Sequence, residues 1–219
     1  MSNAESFIDE VTEEVKRDRL FAAMRKYGWI AVLVVLALVG GTAWREYSKA
    51  QEAAQAQALG DSILAAMDSG DSAARATALE DVAAPNASAD AIVEMLAAEA
   101  EVEAGNVDAA VKRLQAVADN AGVPQIYRQI ASFKALTSGA SVLTVEDRRA
   151  GFQALAVAGQ PLRLLAEEQL ALIDVETGER DAAIERLQTL LQDAEITAGL
   201  RRRASQLIVA LGGTLPEQA

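Results

Sequence analysis

Chemistry in a polypeptide needs groups that attack, move a proton or hold a metal, and this chain carries few of them. Of its 219 residues none is Cys and none is His. That removes thiol nucleophiles, disulfides, thiolate metal sites and redox couples, together with the commonest general base and metal ligand. The sequence contains no GxxxxGK[ST] phosphate loop, no GxGxxG following a strand pattern and no GxSxG elbow. Carboxylate-only or serine-lysine chemistry stays formally open. The 32 Asp and Glu are, however, scattered through helical patterns, where a solvated face accounts for them. The reading is therefore non-enzymatic, with no catalytic, cofactor or metal residue assigned.

Recognition is the chemistry that remains, and it requires side chains that do not finish in a core. Met95, Phe133 and Leu172 are the candidate groove residues, on helices spaced to line one concave surface. All three read equally well as core, because a shift of one residue in register exchanges the two sets; Tyr127 and Phe133 fall on opposite sides of one helix. Ala37 and Gly41 form a small-xxx-small pair that would admit a second membrane helix. Arg201, Arg202 and Arg203 form a basic triplet, which fits a solvated face beside acids better than an anion site.

The element that places all of these is an uncharged run, Tyr27 to Trp44 (YGWIAVLVVLALVGGTAW). At a rise of about 1.5 Å per residue it covers roughly 27 Å, close to bilayer hydrocarbon thickness, with an aromatic residue near each end. A cleaved signal would need small residues at a cleavage site, and Trp44, Arg45, Glu46 and Tyr47 stand there instead. A buried core helix rarely has charge so close on both sides. The run reads as one transmembrane helix. Lys16, Arg17, Arg19, Arg25 and Lys26 precede it and only Arg45 and Lys49 follow closely, so the N-terminus is expected in the cytoplasm. For a bacterial inner membrane, which the alanine-rich composition suits, the rest is periplasmic. The expected layout is a cytoplasmic segment at 1–26, the span at 27–44, a periplasmic domain at 45–211 and a tail at 212–219. Residues 45–219 hold 15 Lys and Arg against 26 Asp and Glu, which makes nucleic acid and anionic lipid poor partners for that part.

Beyond the span the sequence repeats. Gly70, Gly105, Gly139, Gly178 and Gly212 close apolar-periodic segments at intervals of 35, 34, 39 and 34 residues, as expected of left-handed glycines ending helices. An apolar residue stands three before each: Met67, Val102, Leu136, Val175 and Val209. Small residues recur eight before (Ala97, Ala131, Ala204) and five after (Ala110, Ala183), where paired helices would cross. The third unit matches once about six residues are inserted at its turn, since Ala150 lies 40 after Ala110 and 33 before Ala183. A period near 34 with a helix, a turn and a helix is the tetratricopeptide pattern; an ordinary helical bundle with chance glycine spacing is the alternative. The spacing predicts hairpins over about 50–69 with 71–83, 88–104 with 106–120, 124–137 with 144–157 and 161–177 with 179–193, closed by a helix over 197–211.

Local signals place the ends. Ser88 and Asn106 precede helices, Thr144 with Asp147 makes a capping box, and Pro124 and Pro161 are expected in first helical turns. Arg45 to Leu59 (REYSKAQEAAQAQAL) holds no breaker, so the membrane helix is expected to run on into the first helix of the repeats, with Gly60 as the place for a kink. Before the span, Phe7, Ile8, Val11 and Val15 stand at helical spacing after Ser6, with Asp9 placed for a capping box, which predicts a short amphipathic helix. The fold class is all-α: an N-terminal transmembrane helix, then a tetratricopeptide-like α-solenoid of about four hairpins plus a closing helix.

With its N-in anchor (KYGW, an apolar run, GG and W) and units such as AAEAEVEAGNVDAAVKRLQ, the chain resembles the ancillary Sec-translocon subunit family. That resemblance implies association with the protein-conducting channel and periplasmic chaperones, a repeat domain that receives or scaffolds secreted polypeptides, and no catalytic residues. The other expectation is an accessory subunit of a respiratory complex or supercomplex, whose acidic domain would bridge subunits or favour a basic c-type cytochrome.

Overall fold

The computed structural model describes residues 3–216, with side chains described there except at 3–16, 18–20, 22–23 and 31–32. The expected amphipathic stripe of Phe7, Ile8, Val11 and Val15 thus lies outside the described side chains. Among the described residues there are nine α-helices, one 3-10 turn and no strand. The chain divides into two compact units, Met1–Gln57 and Ala58–Ala219.

Helix α1 (Asn3–Met67) supplies all of the first unit that is described. It starts before Ser6, which therefore lies within the helix and does not cap it, and its backbone stays helical through Gly60. No proline interrupts it, and alanine, glutamine and glutamate dominate Arg45–Leu59, all favourable in helix. From Met24 onward it contains an 18-residue window of mean hydropathy 1.8 with no residue buried. Leu33, Leu36, Leu38 and Val39 stand open to the surroundings. By length and composition this helix can cross a membrane. The Lys26 ammonium sits 5.5 Å from the centre of the Tyr27 ring. At the end of the apolar run the Trp44 and Tyr47 rings lie 6.4 Å apart, and Gln51 donates to the Tyr47 hydroxyl at 3.0 Å.

In the second unit the last turns of α1 pair with α2 (Ser72–Glu80), followed by α3 (Ala87–Glu103) with α4 (Val107–Asp119), α5 (Gln125–Ser138) with α6 (Val145–Leu155), α7 (Arg163–Glu176) with α8 (Arg180–Leu191), and the closing α9 (Ala198–Ala210). The core is a series of clusters, each shared by successive pairs. Ala66, Leu79, Val93 and Ala97 form the first; Ala98, Ala110, Leu114 and Ala131 the second. Leu136, Phe152, Leu170 and Ile173 form the third, and Ala171, Leu187, Leu200 and Ile208 the fourth. Ala97, Ala110, Ala131, Ala183 and Ala204, expected at helix crossings, are all buried. Burying each helix against its neighbours in this way is what a repeat stack requires, since no single hairpin can cover its own apolar face.

Four of the five turn glycines adopt positive φ: Gly70, Gly105, Gly178 and Gly212. Gly139 does not. It sits at φ −81° and opens a 3-10 turn, Gly139–Ser141, at the start of the lengthened connection of the third hairpin. Space favours glycine there: a Cβ would lie 2.7 Å from Leu143 Cδ1 and 3.1 Å from Val111 Cγ2, so those side chains would have to shift.

The caps differ in detail from the sequence expectations. Asn86, not Ser88, caps α3, accepting from the Ser88 and Ala89 amides at 3.1 and 3.0 Å. Asn106 occupies the cap position of α4 but makes no side-chain cap bond; its amide donates instead to Glu101 at 2.7 Å. Pro124 is the cap residue of α5 with extended ψ, and Pro161 lies two residues before α7 in a turn, so neither is inside a first helical turn. Thr144 caps α6 as expected, accepting from the Asp147 amide at 3.1 Å.

Candidate protein-interaction surface

The first helices of successive pairs, α3, α5 and α7, repeat their side chains in register with Gly105, Gly139 and Gly178. Thirteen residues before these glycines stand Ile92, Ile126 and Leu165. Ile92 and Ile126 are 38% and 40% exposed, and Leu165 is half-buried. Leu165 also lines a cleft of about 500 Å³ with Pro161, Leu164 and Leu200. Six residues before the same glycines come Glu99, Phe133 and Leu172, of which Leu172 is 41% exposed.

The structure does not gather Met95, Phe133 and Leu172 into one site. Met95 is half-buried against the cluster of α3, α4 and α5. Phe133 is half-buried against a different cluster, with its ring edge-on to Phe152 at 5.6 Å. Tyr127 packs on the Met95 side. The registered pair Ile92 and Ile126, with Leu165, was not singled out from the sequence. The signal for it is the glycine register, thirteen residues upstream of each turn. Ala37 and Gly41 are exposed on α1, and a Cβ on Gly41 would meet nothing within 4 Å.

Ion pairs hold neighbouring first helices side by side. Lys134 on α5 reaches Glu99 on α3 at 2.6 Å, and Arg203 on α9 grips Glu168 on α7 with two bonds of 2.7 and 2.6 Å. Hydrogen bonding to Glu168, helped by its charge, holds the Arg203 guanidinium above its ordinary pKa. Arg203 thus belongs to a structural pair, Arg201 donates to the Leu191 carbonyl at 3.0 Å, and of the basic triplet Arg202 alone makes neither a side-chain hydrogen bond nor an ion pair among the described residues. Within two hairpins one pair recurs at the same separation: Arg113 with Glu94 at 2.7 Å and Arg186 with Glu167 at 2.8 Å, each 19 residues apart. Burial acts to lower the pKa of both arginines, but hydrogen bonds and charge from their carboxylates raise it overall. The third hairpin breaks the pattern, with Arg128 where the other two have Glu94 and Glu167, and its Nε buried without a partner among the described residues. Among the described residues no three carboxylates come together as a metal-binding group.

The family model of a tetratricopeptide repeat-like domain matches residues 24–148. The chain belongs to the tetratricopeptide repeat-like domain family. The match stops at Arg148, in α6, but the glycine register and the Arg186–Glu167 pair carry the same tetratricopeptide-like unit through α7 and α8. No curated protein and no solved structure matches the chain.

Proposed function

We propose that this protein is a membrane-anchored interaction subunit whose tetratricopeptide-like domain holds a polypeptide partner along α3, α5 and α7. The observation that carries this reading is the row of solvent-accessible aliphatic residues in repeat register, Ile92, Ile126 and Leu165, with Leu172 beside it. Exposed aliphatic side chains at equivalent places in successive repeats give an extended strip that a peptide can follow. Tetratricopeptide-like domains are typically interaction modules without chemistry of their own, and the missing Cys and His agree with that. The proposed layout is the one read from charge: residues 1–26 cytoplasmic, 27–44 in the bilayer, 45–211 on the periplasmic side of a bacterial inner membrane and 212–219 as a tail.

The resemblance to the ancillary Sec-translocon subunit family supports a station beside the protein-conducting channel, with secreted polypeptides passed toward periplasmic chaperones. The acidity of residues 45–219 favours a second reading, in which the domain bridges subunits of a respiratory complex or receives a basic c-type cytochrome. Purification of the full chain in mild detergent separates the two. Channel subunits and chaperones are expected with it on the first reading, and haem absorbance on the second. Replacing Ile126 and Leu172 together by Asp should abolish capture of an unfolded secretory precursor without reducing helical circular dichroism. Unchanged capture would remove the strip from the reading.

A further inference from the structure

A second surface stands at the beginning of the stack, on α1, outside the helices that carry the strip. In the last turns of α1, Leu59, Ile63 and Ala66 pack toward α2 and α3. Turned away from them are Asp61, Leu64, Ala65 and Asp68, spaced so that they share one side of a helix, and all four are exposed. Leu64 is 69% exposed, and with Ala65, Met67 and Asp68 it lines a shallow hollow. The outer face of a terminal repeat is normally polar, because no further repeat covers it. Here it presents Leu64 and Met67.

The rim of this hollow is negative. Neither Asp61 nor Asp68 takes part in an ion pair among the described residues. The last turn of α1 contains no basic residue, although the negative end of a helix favours one there. An apolar floor between uncompensated carboxylates disfavours two occupants. A second copy would set Asp61 and Asp68 against their own counterparts, and an anionic lipid surface would meet them with like charge.

We propose that the exposed face at the end of α1 and the turn after it, Asp61–Asp68, is the docking site for an amphipathic helix of a partner protein, with a small aliphatic stripe flanked by lysine or arginine. Leucine and alanine of the partner would fill the hollow over Leu64, Ala65 and Met67. Its cations would pair with the two aspartates and interact with the α1 C-terminus. This inference does not depend on the α3–α5–α7 strip, and either can fail alone.

The chain has no cysteine, so Leu64→Cys gives a single reporter in the full protein held in neutral-lipid nanodiscs. The probe is a synthetic helical peptide with a leucine-alanine stripe flanked by lysines, beside the same peptide with glutamates. The lysine peptide should slow maleimide labelling of the cysteine at least about fivefold and the glutamate peptide should not. In the native background Leu64→Ala should weaken binding of the labelled lysine peptide about fivefold, and Asp61→Lys with Asp68→Lys by about tenfold or more. The same reversal at exposed Asp119, at the end of α4, should leave it unchanged. Equal weakening by Asp119→Lys would mean that the peptide reads only net charge and would overturn the proposal, as would no effect of Leu64→Ala. Slower labelling at higher protein concentration would assign the face to a second copy. Slower labelling on exchange of neutral lipid for phosphatidylglycerol would assign it to the membrane. Both outcomes contradict the proposal.

Discussion

Asp174 on α7 is 1% exposed and lies between two cations from different hairpins, Arg149 of α6 and Arg186 of α8, the second at 3.0 Å. A buried carboxylate is tolerated only when paired, and removing it strands the partners that were desolvated to meet it. Asp174→Ala is therefore expected to cost about 3 kcal/mol, seen as a thermal midpoint lowered by roughly 6 to 12 °C in circular dichroism of the full chain. Asp193 is a different case at the surface. Its carboxylate accepts the Glu195 backbone N–H at 2.9 Å and the Arg163 guanidinium at 2.8 Å, and in that order these bonds hold its pKa below the usual 3.8. Because the folded value is the lower one, the stabilisation is complete above the unfolded carboxylate pKa and is lost as pH falls through the folded value. Carbon-detected titration should place Asp193 below a free aspartate, and Arg163→Gln should move it back up. A midpoint unmoved by that substitution would leave the backbone bond as the whole cause.

At the scale of helices, two glycines with opposite surroundings give opposite expectations. Gly151 on α6 faces Leu136 of α5 so closely that an added Cβ would lie 2.6 Å from Leu136 Cδ2. Leu136 is buried and has little room to withdraw. Gly151→Ala should cost about 1 to 3 kcal/mol by overpacking. Gly60, inside α1 with nothing within 4 Å of its would-be Cβ, should gain about 1 kcal/mol as Ala, since helix propensity is the main difference there. A common urea-unfolding series checks both, and two shifts of the same sign would contradict the contrast. The same pair shows what the sequence could and could not reveal. Turns were legible because left-handed glycine and registered alanine leave a mark at fixed intervals, and the helices accordingly fall close to their expected positions. Gly139 and Gly151 were not legible as close-approach residues. That role depends on Val111 and Leu136 arriving from other helices, and spacing within one segment carries no trace of them. Asn86 displaced Ser88 as a cap for a similar reason: both can cap, and the backbone path before α3 selects between them.

For the molecule as a whole, the candidate surface was harder to read than the stack because exposure belongs to neighbours and not to residues. Met67 and Val209 occupy the same register place as Val102, Leu136 and Val175, yet both are exposed while those three are buried or half-buried. One stands near the beginning of the stack and the other near its end, so each lacks a pair on one side. The same dependence predicts how the stack fails. Ile196, Leu200, Ala204 and Ile208 complete the fourth core cluster around Leu187, Leu190 and Leu191, and no other cluster includes them. A chain ended at Asp193 loses these side chains and leaves Ala171 and the α8 leucines uncovered. Because each pair is stabilised mainly by the next, the damage should decay along the stack. Hydrogen exchange on the shortened chain is expected to show α7 and α8 losing protection, while amides of α3 and α4, held by Ala98, Ala110, Leu114 and Ala131, keep most of theirs. Uniform loss through α3 and α4 would mean one cooperative core in place of a stack, and the repeat register would then have no bearing on how the domain is held together.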